Sequence, residues 1–192
     1  DRLPHGILQE CPGLLMGQAW IWLSRAQVGE LPSILQRVQS LVDTASAGPE
    51  LLSEINFFQG LVSYFQCKPA QSAQFFNTAV KLLPKTAFIA LRSEAEYWEC
   101  LALHLNGQKE AALETLNQRI GRKDLQQGML LSRLRFGLCF IHMLDGQWGQ
   151  AFGEGLKMIA VTRSHHLAFA GAWAEYVLGN AGFHTFDLKT AR

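Results

Sequence analysis

Residues 134–151 read LRFGLCFIHMLDGQWGQA, and this stretch decides the fold. Phe136, Cys139, Phe140, Met143 and Leu144 recur at helical spacing. The pattern stops at Asp145-Gly146, a pair suited to closing a helix because glycine enters the left-handed backbone region without steric cost. It restarts at once, and Ala151 follows five residues after the glycine. Residues 96–112, EYWECLALHLNGQKEAA, repeat the unit with Gly107 and then Ala112. Residues 57–73 turn at Cys67-Lys68-Pro69, residues 20–34 at Gly29, and residues 176–191 at Phe186 with Ala191 behind it. The turns at Gly29, Cys67, Gly107, Gly146 and Phe186 are separated by 38, 40, 39 and 40 residues. A period this regular marks an array of helical hairpins.

Taken in order, the chain divides into five hairpins, approximately 13–47, 48–84, 85–121, 122–162 and 163–192. Each has a first helix (A) and a second helix (B). The A helices are expected over about 14–27, 50–66, 86–106, 125–144 and 164–183, and the B helices over about 31–44, 70–83, 108–120 and 148–161. Pro32 and Pro69 fall in first turns, where a missing N–H does no harm. Ala47-Gly48-Pro49 and Pro84 break the chain between helices. Asp124, Ser164 and Asp187 are the expected N-caps. The last B helix has barely a turn before Arg192, which suggests a single repeat domain cut from a longer array. No alternating strand pattern occurs, so the expected fold is all-α.

Composition limits function. The 192 residues are 48% hydrophobic and 17% charged, with a formal net charge of +1. That balance gives no electrostatic basis for nucleic-acid binding. No apolar run approaches a membrane span of roughly 18 residues, and the start lacks the pattern of a signal peptide. The four cysteines form no C-x-x-C pair or disulfide framework, so reduced thiols in a cytoplasmic protein are expected. No G-x-x-x-x-G-K-[ST], G-x-S-x-G, H-E-x-x-H or D-x-D-x-D-G pattern occurs, and no enzymatic activity or cofactor is expected. Cys100 and His104, with Cys139 and His142, have ligand-like spacing on adjacent A helices. Both cysteines, however, occupy a slot that elsewhere holds glycine, where buried thiols serve as small apolar filler. No metal site is assigned.

Within each hairpin the details resemble the tetratricopeptide repeat. A small residue precedes the turn by seven positions: Gly60, Cys100, Cys139 and Gly179, with Trp22 departing in the first hairpin. A small residue follows in helix B: Ser72-Ala73, Ala112, Ala151 and Ala191, with Ile34 departing. Phe76, Ala79 and Pro84 complete the pattern in the second hairpin. The period near 39, together with GLLMGQAWIWLSRAQVGEL at 13–31, Leu82-Leu83-Pro84, and LAFAGAWAEYVLGNAGFHTFDLKTA at 167–191, is similar to the superhelical sensor domain of MalT-like, LuxR-family ATP-dependent transcriptional activators. In the last stretch Trp173, Tyr176, Leu178, Gly179, Phe183, Leu188 and Ala191 carry the likeness. The resemblance implies a right-handed superhelix with A helices inside. It also implies a module between an ATPase and a DNA-binding helix-turn-helix, with room for self-association in the full-length protein.

In such hairpins the A helices line the concave face. One slot there reads Ala19, Phe57, Tyr97, Phe136 and Tyr176, and another reads Ala26, Tyr64, His104, Met143 and Phe183. Arg133 and Trp173 share a third slot with Glu54 and Glu94. An aromatic ladder with a few charges suits a protein segment, a neighbouring domain or a small-molecule inducer. The expected binding residues are Phe57, Tyr64, Tyr97, His104, Arg133, Phe136 and Tyr176, with the four ladder rings at least partly open to solvent. The alternative is that the same stripe is core. The implied function is a ligand- or partner-binding sensor module, set against a plain tetratricopeptide scaffold that senses nothing.

Overall fold

The computed structural model describes residues 10–43, 47–83, 89–122 and 128–185. Among them are nine α-helices and no strand. They are α1 Pro12–Ser24, α2 Leu31–Leu41, α3 Pro49–Phe65, α4 Pro69–Leu82, α5 Ile89–Leu105, α6 Lys109–Ile120, α7 Gly128–Leu144, α8 Trp148–Ser164 and α9 Ala168–His184. Pro12, Pro32, Pro49 and Pro69 all lie in first turns, where φ is already fixed for a helix and no N–H partner is lost. No helix of the described residues is long and apolar enough to cross a membrane.

One device ends five of the helices. After α7, Gly146 N–H donates to Met143 O and Gln147 N–H donates to His142 O at 2.8 Å. This pair of reversed bonds is the Schellman closure, and it needs a left-handed residue between them. Gly146 supplies it at φ 68° and Gly107 at φ 76° after α5. Cys67 (57°) after α3, Ala26 (56°) after α1 and His166 (55°) after α8 do the same with side chains. The first hairpin therefore turns at Ala26, not at Gly29, which lies in a following 3-10 turn, Val28–Glu30. Counting back seven from Ala26 places Ala19 in the small slot, not Trp22, and Ala19 is fully buried. Leu31 replaces Ile34 in the helix-B slot.

Ser164 also departs from expectation. It is the last residue of α8, and its hydroxyl donates to Val161 O; the break falls two residues later at His166. Asp124, Asp187 and the turn at Phe186 lie outside the described residues.

A left-handed residue with a Cβ costs roughly 1–2 kcal/mol relative to glycine there. Part of that gain is offset because glycine loosens the unfolded chain. Ala26→Gly is therefore expected to stabilise the protein by about 0.5–1 kcal/mol, read as a higher urea midpoint. An unchanged or lower midpoint would show that the Ala26 turn is not strained.

The chain divides into two compact units, Asp1–Ala87 and Phe88–Arg192. In the first, α1 packs on α2 and α3, and α3 packs on α2 and α4. Its core holds Met16, Ala19, Leu31, Phe57, Phe58, Leu61 and Phe76. Two buried serines tie α3 to α4: Ser53 Oγ donates to Ala79 O at 2.8 Å, and Ser72 Oγ to Gly60 O at 2.9 Å. These bonds give buried hydroxyls the partners they require. Gly60 lets the Phe76 ring lie directly on the α3 backbone.

In the second unit the A helices pack in sequence, α5 on α7 and α7 on α9, and each B helix contacts the A helices on either side. Cys100, Cys139, Ala112 and Ala151 are fully buried at the helix crossings, as small slots must be for close approach. Gly179 is only half-buried in α9. Gly155 of α8 makes the close approach there, facing Leu178 and Val177. Between α5 and α6 lies a buried ion network. The Glu96 carboxylate receives Arg122 Nη2 at 2.8 Å and Nη1 at 3.2 Å, with Arg92 and Arg119 each at 3.8 Å. Arg119 also donates to the Glu99 carboxylate and to Glu96 O.

A cleft on the face built by the A helices of the second unit

The slot expected to hold exposed rings is largely covered. Phe57, Tyr97 and Phe136 are buried, and Tyr176 is 50% exposed. Phe57 sits within Trp20, Phe58 and Phe76, its ring stacked on Trp20 at 5.2 Å. In the second unit each ring is covered by the next A helix. The Arg133 guanidinium lies 3.9 Å over Tyr97, and Phe136 stacks on Tyr97 at 5.9 Å. Trp173 in turn approaches Phe136 at 5.2 Å. Tyr176, on α9, has no such cover among the described residues. The expectation of four accessible rings is thus corrected for three of them: Tyr97 and Phe136 are covered by the next A helix, and Phe57 by Trp20 of the preceding A helix and Phe76 of its own hairpin.

The other expected residues separate. Tyr64 is half-buried beside Phe65, and burial raises its phenol above the ordinary value. His104 is drawn to the hairpin turn: its Nε2 lies 2.9 Å from Asp145 Oδ1, and Lys109 Nζ lies 2.8 Å from Asp145 Oδ2. Burial pushes the Asp145 carboxyl up, but the Lys109 and His104 hydrogen bonds outweigh it, so the carboxyl titrates below the ordinary aspartate range.

A depressed folded-state value means stability that is present above the ordinary aspartate pKa and lost as pH falls through the depressed one. Asp145→Asn is expected to lower stability at pH 7 by up to about 1 kcal/mol, since water screens the pair. The gap between variant and wild type should close in acid, below about pH 4. Urea titrations at several pH values test this, and a gap that persists at pH 2 would be the contrary result.

Cys100 and Cys139 are buried, and burial pushes each thiol up to about 12, which keeps them protonated and unreactive. Cys100 Sγ faces Arg119 Nη1 at 3.4 Å, and His142 Nδ1 pairs with Gln147 Oε1. Among the described residues no three His, Cys, Asp or Glu side chains are placed to share a metal ion.

Arg133 and Phe136 do meet at a cleft of about 270 Å³ inside the second unit. Its walls come from three A helices: Ala90, Ser93 and Glu94 of α5; Met129, Ser132, Arg133 and Phe136 of α7; and Phe169, Ala170 and Trp173 of α9. Met158 of α8 and Leu167 of the turn complete it. Arg133 Nη2 donates to Glu94 Oε2 at 2.7 Å, and Trp98 Nε1 donates to the same oxygen at 3.1 Å. Ser93 and Ser132 turn their hydroxyls back onto carbonyls of their own helices. The lining is therefore apolar apart from the Glu94–Arg133 pair, in which Arg133 Nε is buried without a hydrogen-bond partner. Phe169 is 80% exposed and Trp173 38% exposed at the mouth.

No protein-family model matches the chain, and no curated protein is detectably similar to it. Glu94, Arg133, Phe136 and Trp173 stand at positions the repeat period singles out. Met129, Met158, Leu167, Phe169 and Ala170 fall outside those slots. The available signal was large apolar residues, Met129 and Phe169, in the first turns of A helices and off the buried stripe.

Proposed function

We propose that this chain is a non-catalytic sensor module of a bacterial, LuxR-type, ATP-dependent transcriptional regulator, and that its hairpins wind as a right-handed tetratricopeptide-like superhelix. The observation that supports this most is the cleft on the side where three successive A helices pack. In a hairpin array that side gathers one residue per repeat into a common surface, here Glu94, Arg133 and Trp173. A ligand or protein segment held there would bridge α5, α7 and α9 and stiffen the array. Stiffening is a means of passing a binding event to neighbouring domains.

The open aromatic side of α9 favours a second reading, a scaffold that docks a protein partner without sensing. Phe169, Trp173, Tyr176 and Phe183 are all exposed, and apolar groups gathered on one helix commonly mark a protein contact. The coding sequence on either side separates the two. A phosphate-binding G-x-x-x-x-G-K-[ST] upstream and a helix-turn-helix downstream are expected for the sensor. In that full-length protein, Ala170→Trp, which fills the cleft, should cut induced reporter transcription at least fivefold while leaving protein abundance unchanged. Absence of both flanking motifs would leave the scaffold.

A further inference from the structure

We infer that the cleft between α5, α7 and α9 takes a small neutral molecule built on one or two rings, in preference to an anion or a cation. This inference rests on the binding-module reading and names its ligand class. The volume sets the size. A dry apolar cavity of about 150 Å³ takes up benzene, so 270 Å³ has room for two linked or fused rings. Trp173, 38% exposed, offers aromatic surface to such a guest, and the buried Phe136 forms part of the wall behind it. Met129 and Met158 supply flexible thioether walls that adapt to its outline.

The charge of the guest follows from the single ion pair. Arg133 is the only cationic side chain lining the cleft among the described residues, and its Nη2 is already bonded to Glu94 at 2.7 Å while its guanidinium rests on Tyr97. An incoming anion would have to displace Glu94 or sit beside its carboxylate, against like-charge repulsion in an apolar setting. An incoming cation would meet Glu94 with both Arg133 and Trp98 already donating to it. A neutral ring leaves the pair intact and replaces water on apolar walls, which is favourable without any charge rearrangement.

A matched pair of fluorescent probes tests this on the chain itself: neutral N-phenyl-1-naphthylamine and its sulfonated analogue 8-anilinonaphthalene-1-sulfonate. The neutral probe is expected to bind at least tenfold more tightly. Ala170→Trp, which fills the cleft, and Phe169→Ala, which removes an exposed wall, should each weaken it several-fold with an unchanged thermal melt. Glu94→Gln should narrow the gap between the probes by improving sulfonate binding. If the sulfonate binds as well as the neutral probe and both respond to Ala170→Trp and Phe169→Ala, the binding site stands and the neutral ligand class is overturned. If neither variant changes binding of the neutral probe, the cleft is not the site, and the binding-module reading of this face falls with it.

Discussion

Glu96→Leu is expected to destabilise the Phe88–Arg192 unit by about 3 kcal/mol. Glu96 is 1% exposed and stands among Arg92, Arg119 and Arg122. Its carboxylate is what allows those guanidiniums to converge on one side of α5. With leucine there, Arg122 loses both of its carboxylate bonds and Arg119 faces it across an apolar side chain. Removing one partner of a buried ion pair typically costs roughly 3–5 kcal/mol, because the remaining charge is left desolvated. The lower end applies here. Arg122 is partly exposed and can swing toward water, and Arg119 keeps Glu99 and the Glu96 carbonyl, which the substitution does not remove. Two companion measurements separate this from simple loss of packing. The deficit should persist in 1 M salt, where exposed pairs are screened out. The double variant Glu96→Leu with Arg122→Leu should recover part of the loss, since apolar replacements of both partners are often neutral. A deficit under 1 kcal/mol in urea unfolding, or one abolished by salt, would mean that the network is a surface feature.

The turns show what the sequence could and could not convey. Gly107 and Gly146 were readable because glycine is the residue that enters the left-handed region freely, and Cys67 was readable because Pro69 must open the next helix. Ala26 and His166 adopt the same backbone without any such signal. There the tertiary contacts of α1 and α8 override local preference. With the turn at Ala26 the first hairpin moves by three residues: Ala19 takes the small slot in place of Trp22, whereas Leu31, in place of Ile34, leaves the helix-B slot still filled by a large side chain.

The site divides in a similar way. The period placed Glu94, Arg133 and Trp173 in equivalent positions, and all three line the cleft. Whether a ring in the neighbouring slot is open or covered depends on what the next A helix places above it. Arg133 covers Tyr97 and Trp173 approaches Phe136, whereas Tyr176 has no such cover among the described residues. That is a property of pairs of hairpins, and no single hairpin's residues encode it.

Gly60→Leu is expected to cost about 3 kcal/mol or more, and here the usual rule for helical glycine reverses. In a helix interior, glycine is roughly 1 kcal/mol worse than alanine, so replacement ordinarily stabilises. A Cβ at Gly60 would lie 2.7 Å from the Phe76 ring, closer than carbon atoms approach without displacement. Phe76 cannot yield easily. It is fully buried, its ring lies against Phe57, and Ser72 ties the same stretch of α4 to Gly60 O. Even Gly60→Ala should therefore lower stability, with strain outweighing the gain in helix propensity, and leucine should add further overpacking. Gly153 in α8 is the control, because a Cβ there meets no atom within 4 Å. Gly153→Ala should stabilise by up to about 1 kcal/mol. Opposite signs for the two alanine variants in urea unfolding are the expected result. Stabilisation by both would mean that Phe76 moves aside freely, and that the small slot seven residues before each turn reflects helix geometry without a packing requirement.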